Sequence, residues 1–283
     1  MSPVHRDFDP PPGPLAGLVA RALAEDLGVL GDLTTLALVG DDETGAGWIA
    51  TRQDGILAGT AAATEVYRQV DPDVQVTWDA ADGEEIPAGA RLARLEGPLR
   101  AILMGERTAL NFLQHCSGVA TLTRRFVRAA HGRARIRDTR KTLPGLRALE
   151  KAAVRAGGGF NHRECLSDAV LVKDNHLRRR SVAQAVARAR ARWPGRVVEV
   201  ECDTPEQVTE AVAAGADLVL LDNMTPEMVA EVRARVGEGV RLEVSGGVTL
   251  DRVGAFAEAG ADFVSVGAIT HSAPALDIGL DLD

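Results

Sequence analysis

In the stretch RIRDTRKTLPGLR, Arg135, Arg137, Arg140, Lys141 and Arg147 stand against one acid, Asp138, inside a chain whose formal net charge is −8. Widened to residues 133–180, the window holds 13 Lys and Arg and 5 acids, so it is strongly cationic while the remainder is strongly acidic. That contrast disfavours a nucleic-acid or membrane-surface protein and points to a site for a small, multiply charged anion. Of the 32 basic side chains only Lys141, Lys151 and Lys173 are lysine, and all three lie in the window. A compact ammonium does chemistry that a planar guanidinium cannot, which singles these residues out. Arg147, Lys151 and Arg155 recur every fourth residue, so they share one helical face and are expected on a solvated rim.

Other residues of the right type fall at comparable places. Glu201 and Asp222 end two apolar runs, VVEVEC and DLVLLD, and could share a hard cation such as Mg²⁺. Ser245-Gly246-Gly247 and Gly267-Ala268 end two more, where backbone N–H groups can hold a phosphate. GGGFNHR places His162 and Arg163 behind three glycines that stop a helix, and Lys173 closes AVLVK. Arginine forks bind carboxylates in pairs, so Arg140, Arg163 and Lys173 suit a small polycarboxylate. Each residue also has an ordinary reading, as salt-bridge partner, tight turn or structural histidine. Their convergence argues for a site.

Six short segments must position them: 134–139, 169–173, 197–202, 217–222, 240–245 and 262–267. All read as strands buried on both faces of a parallel sheet, separated by helices such as SVAQAVARARARW and TPEQVTEAVAAG. AAGADLVLLD and EAGADFVSVG are near-copies whose Asp217 and Asp262 lie two strand-helix units apart. Functional groups at every trailing strand end favour an α/β barrel, which gathers its strand ends at one mouth, over an open doubly wound sheet. Upstream, LAGLVARALAEDL and TAAATEVYRQV read as helices, and residues 45–103 otherwise alternate like short strands around DG, PAG and EG turns. A long amphipathic segment, AILMGERTALNFLQHCSGVATLTRRFVRAAHG, follows, expected to break near Ser117-Gly118.

The 283 residues suit two domains or one large one, and 46% hydrophobic content suits a full core. Three scattered cysteines, Cys116, Cys165 and Cys202, give neither a zinc site nor a disulfide framework and fit a reducing cytoplasm. No run approaches a membrane span and the N-terminus lacks a signal-peptide core, so a soluble cytoplasmic protein is expected.

GERTALNFLQHCSGVAT, RDTRKTLPGLRALEKAAVRAGGGFNHR, LVKDNH, VEVEC, LLDN, EVSGG and VGAITHSAPALDIGLDL, in this order, resemble the quinolinate phosphoribosyltransferase family. The resemblance implies an N-terminal α/β sandwich (1–115), an incomplete, seven-stranded α/β barrel (116–270) and a C-terminal tail (271–283) returning to the first domain. It implies transfer of the phosphoribosyl group of phosphoribosyl pyrophosphate to quinolinate with loss of CO₂, in NAD biosynthesis, with Mg²⁺. Arg140, His162, Arg163 and Lys173, next to Thr139, would hold the quinolinate carboxylates. Lys141, Glu201 and Asp222 would serve phosphoribosyl pyrophosphate and its metal, and Ser245, Gly246, Gly247, Gly267 and His271 would surround the phosphates. Arg107 would reach a neighbouring subunit's site, making a homodimer or larger assembly.

Two departures stand out. His115-Cys116-Ser117 replaces an expected Leu-Ser pair, and Glu164-Cys165 follows NHR, with Glu164 expected to face away from the cations. Rival readings are a related pyrophosphorylase linked to molybdenum uptake, expected to lack Lys173, and a nicotinate phosphoribosyltransferase, needing fewer cations. From other classes come a Schiff-base aldolase using Lys173 and a non-catalytic anion-binding protein.

Overall fold

The computed structural model describes residues 9–283; His5, given no role, and the first residues of the Pro-rich start lie outside them. In chain order come α1 (Pro12–Leu27), α2 (Leu33–Leu38), β1 (Thr44–Thr51), β2 (Gly55–Ile56), α3 (Thr60–Val70), β3 (Gln75–Trp78), β4 (Glu85–Ile86), β5 (Arg91–Pro98) and α4 (Leu99–Ala129). Next are β6 (Arg135–Arg137), α5 (Arg147–Ala156), β7 (Val170–Val172), α6 (Asp174–Leu177), α7 (Val182–Arg192), β8 (Val198–Cys202), α8 (Pro205–Ala213) and β9 (Leu218–Asp222). The chain ends with α9 (Pro226–Val236), β10 (Arg241–Ser245), α10 (Val253–Glu258), β11 (Phe263–Ser265), α11 (Ala268–His271) and β12 (Ile278–Leu282).

These elements form two compact units. The first comprises the described residues up to Arg124 with 142–158 and 269–283; the second comprises 125–141 with 159–268. The boundary expected between residues 115 and 116 lies within α4.

The first unit holds an antiparallel sheet ordered β12-β1-β5-β3, in which the last strand of the chain pairs with the first, from Gly47 opposite Leu282 to Thr51 opposite Ile278. Its core includes Ile49, Leu92, Leu95, Ile102, Leu110 and Leu113, all fully buried. The expected break at Ser117-Gly118 does not occur: α4 runs unbroken for 31 residues. Both residues serve close packing instead. The Ser117 hydroxyl accepts the Ala58 N–H at 3.1 Å and donates to the Ala58 carbonyl at 3.2 Å. A Cβ on Gly118 would lie 2.1 Å from the Pro274 carbonyl oxygen.

A second correction concerns α5. Lys151, expected on a solvated rim, is fully buried, as is Glu150. Four-residue spacing places Arg147, Lys151 and Arg155 on a common face but cannot say what covers it, and α5 is buried on almost every side. Within the same unit Glu150 Oε1 lies 2.9 Å from His115 Nε2, so the departure at His115 has a structural partner.

The second unit is a six-stranded parallel sheet ordered β6-β11-β10-β9-β8-β7. Phe160 adds a one-residue parallel bridge beside β6 at Arg137, its N–H reaching the Ile136 carbonyl at 2.8 Å and its carbonyl accepting the Asp138 N–H at 3.1 Å. All six expected strands are present. The near-copies do the same work: Asp217 accepts the Val198 N–H at 2.8 Å and Asp262 the Leu242 N–H at 2.9 Å, each tying its strand to a neighbour. Ser181, Thr204 and Thr225 start α7, α8 and α9 by accepting N–H groups from Gln184, Gln207 and Met228.

The strands differ from expectation in pattern. Register aligns Ile136, Val264, Val244, Leu221, Cys202, Val200 and Val172 on one fully apolar face. The alternate residues on the other face are mixed: Arg137, Ser265, Glu243, Ser245, Asp222, Glu201 and Glu199 stand there beside Leu171, Leu218, Leu220 and Phe263. Only one face is therefore apolar, and helices α7, α8 and α10 pack on the sheet. No helix among the described residues is long and apolar enough to cross a membrane.

The close approach at residue 118 generates a test. Gly118→Ala should cost about 1–3 kcal/mol through overpacking, read as a lower denaturant midpoint at unchanged m-value.

Candidate active site

The polar face of the parallel sheet opens into a cavity of about 580 Å³ lined by Thr139, Arg140, Lys141, His162, Arg163, Lys173, Glu201, Asp222, Asn223, Glu243 and Ser245-Gly246-Gly247. Strand order makes this informative. Arg140 and Lys141 follow β6 at one edge of the sheet, and Lys173 follows β7 at the other. In a flat sheet five strand spacings would part those edges by about 24 Å. Both edges nevertheless line one hollow, with Glu201 and Asp222 between them in strand order.

Local structure aims each group. After β6, Thr139 Oγ1 accepts the Lys141 N–H at 2.9 Å, closing a turn that sets the Arg140-Lys141 pair. After β7, the Lys173 N–H reaches His176 Nδ1 at 2.9 Å, and its ammonium forms an ion pair with Glu201. Asp222 Oδ2 accepts the Asn223 side-chain N–H at 2.7 Å. Asn223, at φ 56°, turns its N–H to the Ser245 carbonyl at 2.9 Å. Gly246 permits this: φ is 95°, and a Cβ there would lie 2.2 Å from Asn223 Oδ1.

The NHR turn is tied to the end of β6. Asp138, fully buried, accepts the His162 N–H at 2.8 Å and the Asn161 side-chain N–H at 2.6 Å. Arg163 lines the cavity, its guanidinium donating to the Ala169 carbonyl at 3.2 Å, and also lines an adjoining hollow of about 710 Å³ with Arg140, Lys173, Leu166 and Trp193. Burial, and then the charge of Arg140, lower the Arg163 guanidinium below its ordinary value. Two cations held this close favour an anion between them. Glu164 is exposed and lines neither hollow, as expected.

Two residues expected around the phosphates, Gly267 and His271, are not among those lining the cavity, and Arg107 is expected at a neighbour's site rather than at this one. Gly267 follows β11, and Arg107 and His271 belong to the first unit. The sequence reading also missed a group. Glu199 and Glu243 lie two residues before Glu201 and Ser245 on the cavity face, at 2% and 0% exposure. Glu243 pairs with Arg137 and accepts the Ser265 hydroxyl; Arg137 also stacks on Phe263, 4.3 Å from the ring centre. His162 Nε2 lies 3.1 Å from Glu199 and 3.4 Å from Glu243. The alternation V-E-V-E-C and L-E-V-S carried the signal, because a strand apolar on both faces would not place a glutamate between valines.

For cation binding two sets offer themselves. Glu201 and Asp222 present carboxylate oxygens on adjacent strands to the open cavity, the donor type a hard divalent ion takes. His162, Glu199 and Glu243 bring ligand atoms within 4.8 Å of one another, but Glu243 already serves Arg137 and Ser265.

Burial, and then the charge of Glu199, raise the Glu243 carboxyl, while His162 and Arg137 pull it down. A raised carboxyl favours folding while protonated and opposes it as pH climbs past the ordinary carboxylate value. Arg137→Ala should therefore destabilise by about 3 kcal/mol at pH 7, as breaking a buried pair does, and by less near pH 4, below the ordinary value from which this carboxyl is raised. Equal losses in denaturant titrations at the two pH values would contradict the pairing.

Sequence models of the N-terminal and C-terminal domains of quinolinate phosphoribosyl transferase match residues 32–117 and 119–281. The chain is 42% identical over 271 residues to a probable nicotinate-nucleotide pyrophosphorylase [carboxylating] of Bacillus subtilis, covering 95% of this chain and 93% of that one. Identity is also 42% to the nicotinate-nucleotide pyrophosphorylase [carboxylating] of Mycobacterium leprae, covering 93% and 95%. The solved nicotinate-nucleotide pyrophosphorylase of Francisella tularensis superposes with a TM-score of 0.93 at 40% identity, covering 99% of this chain and all of that one. A cationic, glycine-rimmed cavity on a parallel α/β sheet thus sits in a chain matched almost end to end, and that chain belongs to the quinolinate phosphoribosyltransferase family.

Proposed function

We propose that this protein transfers the phosphoribosyl group of phosphoribosyl pyrophosphate to quinolinate, releasing pyrophosphate and CO₂ and leaving nicotinate mononucleotide, a step of NAD biosynthesis. The observation that carries the reading is the shared cavity: cations Arg140, Arg163 and Lys173 line it together with Glu201, Asp222 and the Ser245-Gly246-Gly247 turn. The two carboxylates of a pyridine dicarboxylate fit the cations, and a phosphorylated sugar fits the glycine turn.

In this reading Arg140, Arg163 and Lys173 orient quinolinate so that its ring nitrogen faces C1 of the ribose. No general base is needed, since that nitrogen carries its own lone pair. The C1–O bond to pyrophosphate breaks as the N–C1 bond forms, and Lys141 with nearby backbone N–H groups stabilises the departing charge. The positive charge now on the ring nitrogen stabilises the electron pair left on the neighbouring carbon when its bond to CO₂ breaks, and a proton then bonds to that pair, replacing CO₂. Glu201 and Asp222 would hold Mg²⁺, which when bound would neutralise pyrophosphate oxygens. A Schiff-base role for Lys173 fits poorly, because its ammonium is ion-paired with Glu201 rather than held as a free, desolvated amine.

The incomplete seven-stranded barrel is part of the same proposal. It is supported by the sharing of one hollow by both sheet edges and by the Phe160 bridge beside β6. So are a cytoplasmic location, which suits three free thiols, and a homodimer in which Arg107 serves the neighbour's site.

Purified protein mixed with quinolinate, phosphoribosyl pyrophosphate and Mg²⁺ should release CO₂ and nicotinate mononucleotide, and nicotinate should replace quinolinate poorly. Arg140→Ala or Lys173→Ala should lower kcat/KM on the order of 10²-fold or more, as losing an oriented charge in a closed site does; near-normal kinetics in either would remove that residue from the site. Mixing inactive Arg107→Ala and Lys173→Ala chains should restore part of the activity if subunits share sites, and none if they do not.

A further inference from the structure

Glu199 and Glu243 have no part in the chemistry above, yet they are among the most deeply buried charges of the second unit. They stand on β8 and β10, either side of β9, and their side chains meet at the His162 ring. Nε2 of that ring lies 3.1 Å from Glu199 Oε2 and 3.4 Å from Glu243 Oε1. Its Nδ1 accepts the Arg163 backbone N–H at 2.8 Å. A ring nitrogen that accepts an N–H carries no proton, and one facing two carboxylate oxygens must donate one. The hydrogen bonds therefore assign the Nε2–H tautomer.

The surroundings hold this arrangement from both sides. Arg137 and Ser265 fix Glu243, and Asp138 fixes the His162 and Asn161 end of the turn. Glu199 Oε1 is buried without a hydrogen-bond partner among the described residues, so the Oε2 contact with His162 is the bond that orients this carboxylate. A bound cation accounts for the cluster less well, since Arg137 already supplies positive charge to Glu243.

We propose that Glu199 and Glu243 are positioning residues for the pyridine-dicarboxylate subsite: by fixing the tautomer and plane of His162 they make Nδ1 an acceptor for the Arg163 backbone, which sets where the Arg163 guanidinium lines the cavity. The proposal rests on the functional reading above for the identity of the substrate. Its geometric part does not. Loss of the carboxylates frees the ring to rotate or change tautomer, and the Arg163 turn loses its internal tie.

Long-range ¹H–¹⁵N correlation spectra of the full chain, with ¹⁵N-labelled histidine and the His162 signals identified by their loss in His162→Asn, read the tautomer directly. The expected result is a protonated Nε2 and bare Nδ1 in the parent chain, changing to mixed tautomers in Glu199→Ala. In steady-state assays Glu199→Ala should raise KM for quinolinate about tenfold, as loss of an orienting outer partner typically does, while KM for phosphoribosyl pyrophosphate moves less than about twofold. Glu199→Gln, which keeps an oxygen acceptor, should recover to within about threefold of the parent. If Glu199→Ala does not fold, Glu199→Leu fills the volume without an acceptor and takes its place. A proton on Nδ1 in the parent chain, or equal changes in both KM values, overturns the proposal. Absence of quinolinate turnover by the parent chain would overturn the substrate assignment instead, and the spectra would still judge the tautomer.

Discussion

Charge convergence governs this structure. Four cations and three acids line one hollow in the second unit, and like charges brought so near repel strongly unless each finds a counter-charge. The protein answers with internal pairs: Lys173 with Glu201 at the open side, Arg137 with Glu243 at the buried floor. The Arg163 guanidinium, half-buried beside Arg140, is lowered first by burial and then by that charge. A polyanion bound among these cations would offset their mutual repulsion, which ties anion affinity to how closely the fold holds them.

Keeping that tension in place requires a rigid frame, and the frame is apolar. Val198, Val200, Val219, Leu221, Leu242, Val244 and Val264 are fully buried on the opposite face of the same strands. Because side chains alternate along a strand, every residue that anchors the core sets its neighbour on the cavity side. A one-residue slip of β8 would bury Glu201 in the core and carry Val200 into the cavity, so hydrophobic register fixes the site's geometry. The aspartates at 217 and 262 and the caps at Ser181, Thr204 and Thr225 add local stops that keep each strand and helix in phase.

Much of this is legible in the residues alone. The six strand segments, the helix at 60–70 and the polar groups at strand ends follow from local periodicity and turn chemistry, which act over a few residues. DTRKT, NHR, VKDNH and EVSGG mark the groups that line the cavity. The unread features are those that depend on what covers a segment. Ser117-Gly118 looks like a helix breaker but is the place where the backbone at Pro274 approaches α4, and Lys151 looks solvated but is buried. Glu199 and Glu243 went unread because their strands were taken as apolar on both faces.

The sequence by itself determined the types of group available, their order, the strands and helices that carry them, and the family to which the chain belongs, because all of these reside in local pattern. Only tertiary structure decided that the two sheet edges share a hollow, that Arg107 and His271 fall in the other compact unit, and that His162 is clamped between two glutamates. Those facts rest on contacts between residues far apart in the chain, such as His162 with Glu199 and Arg137 with Glu243. Their energies come from burial and charge pairing that no short stretch of sequence contains.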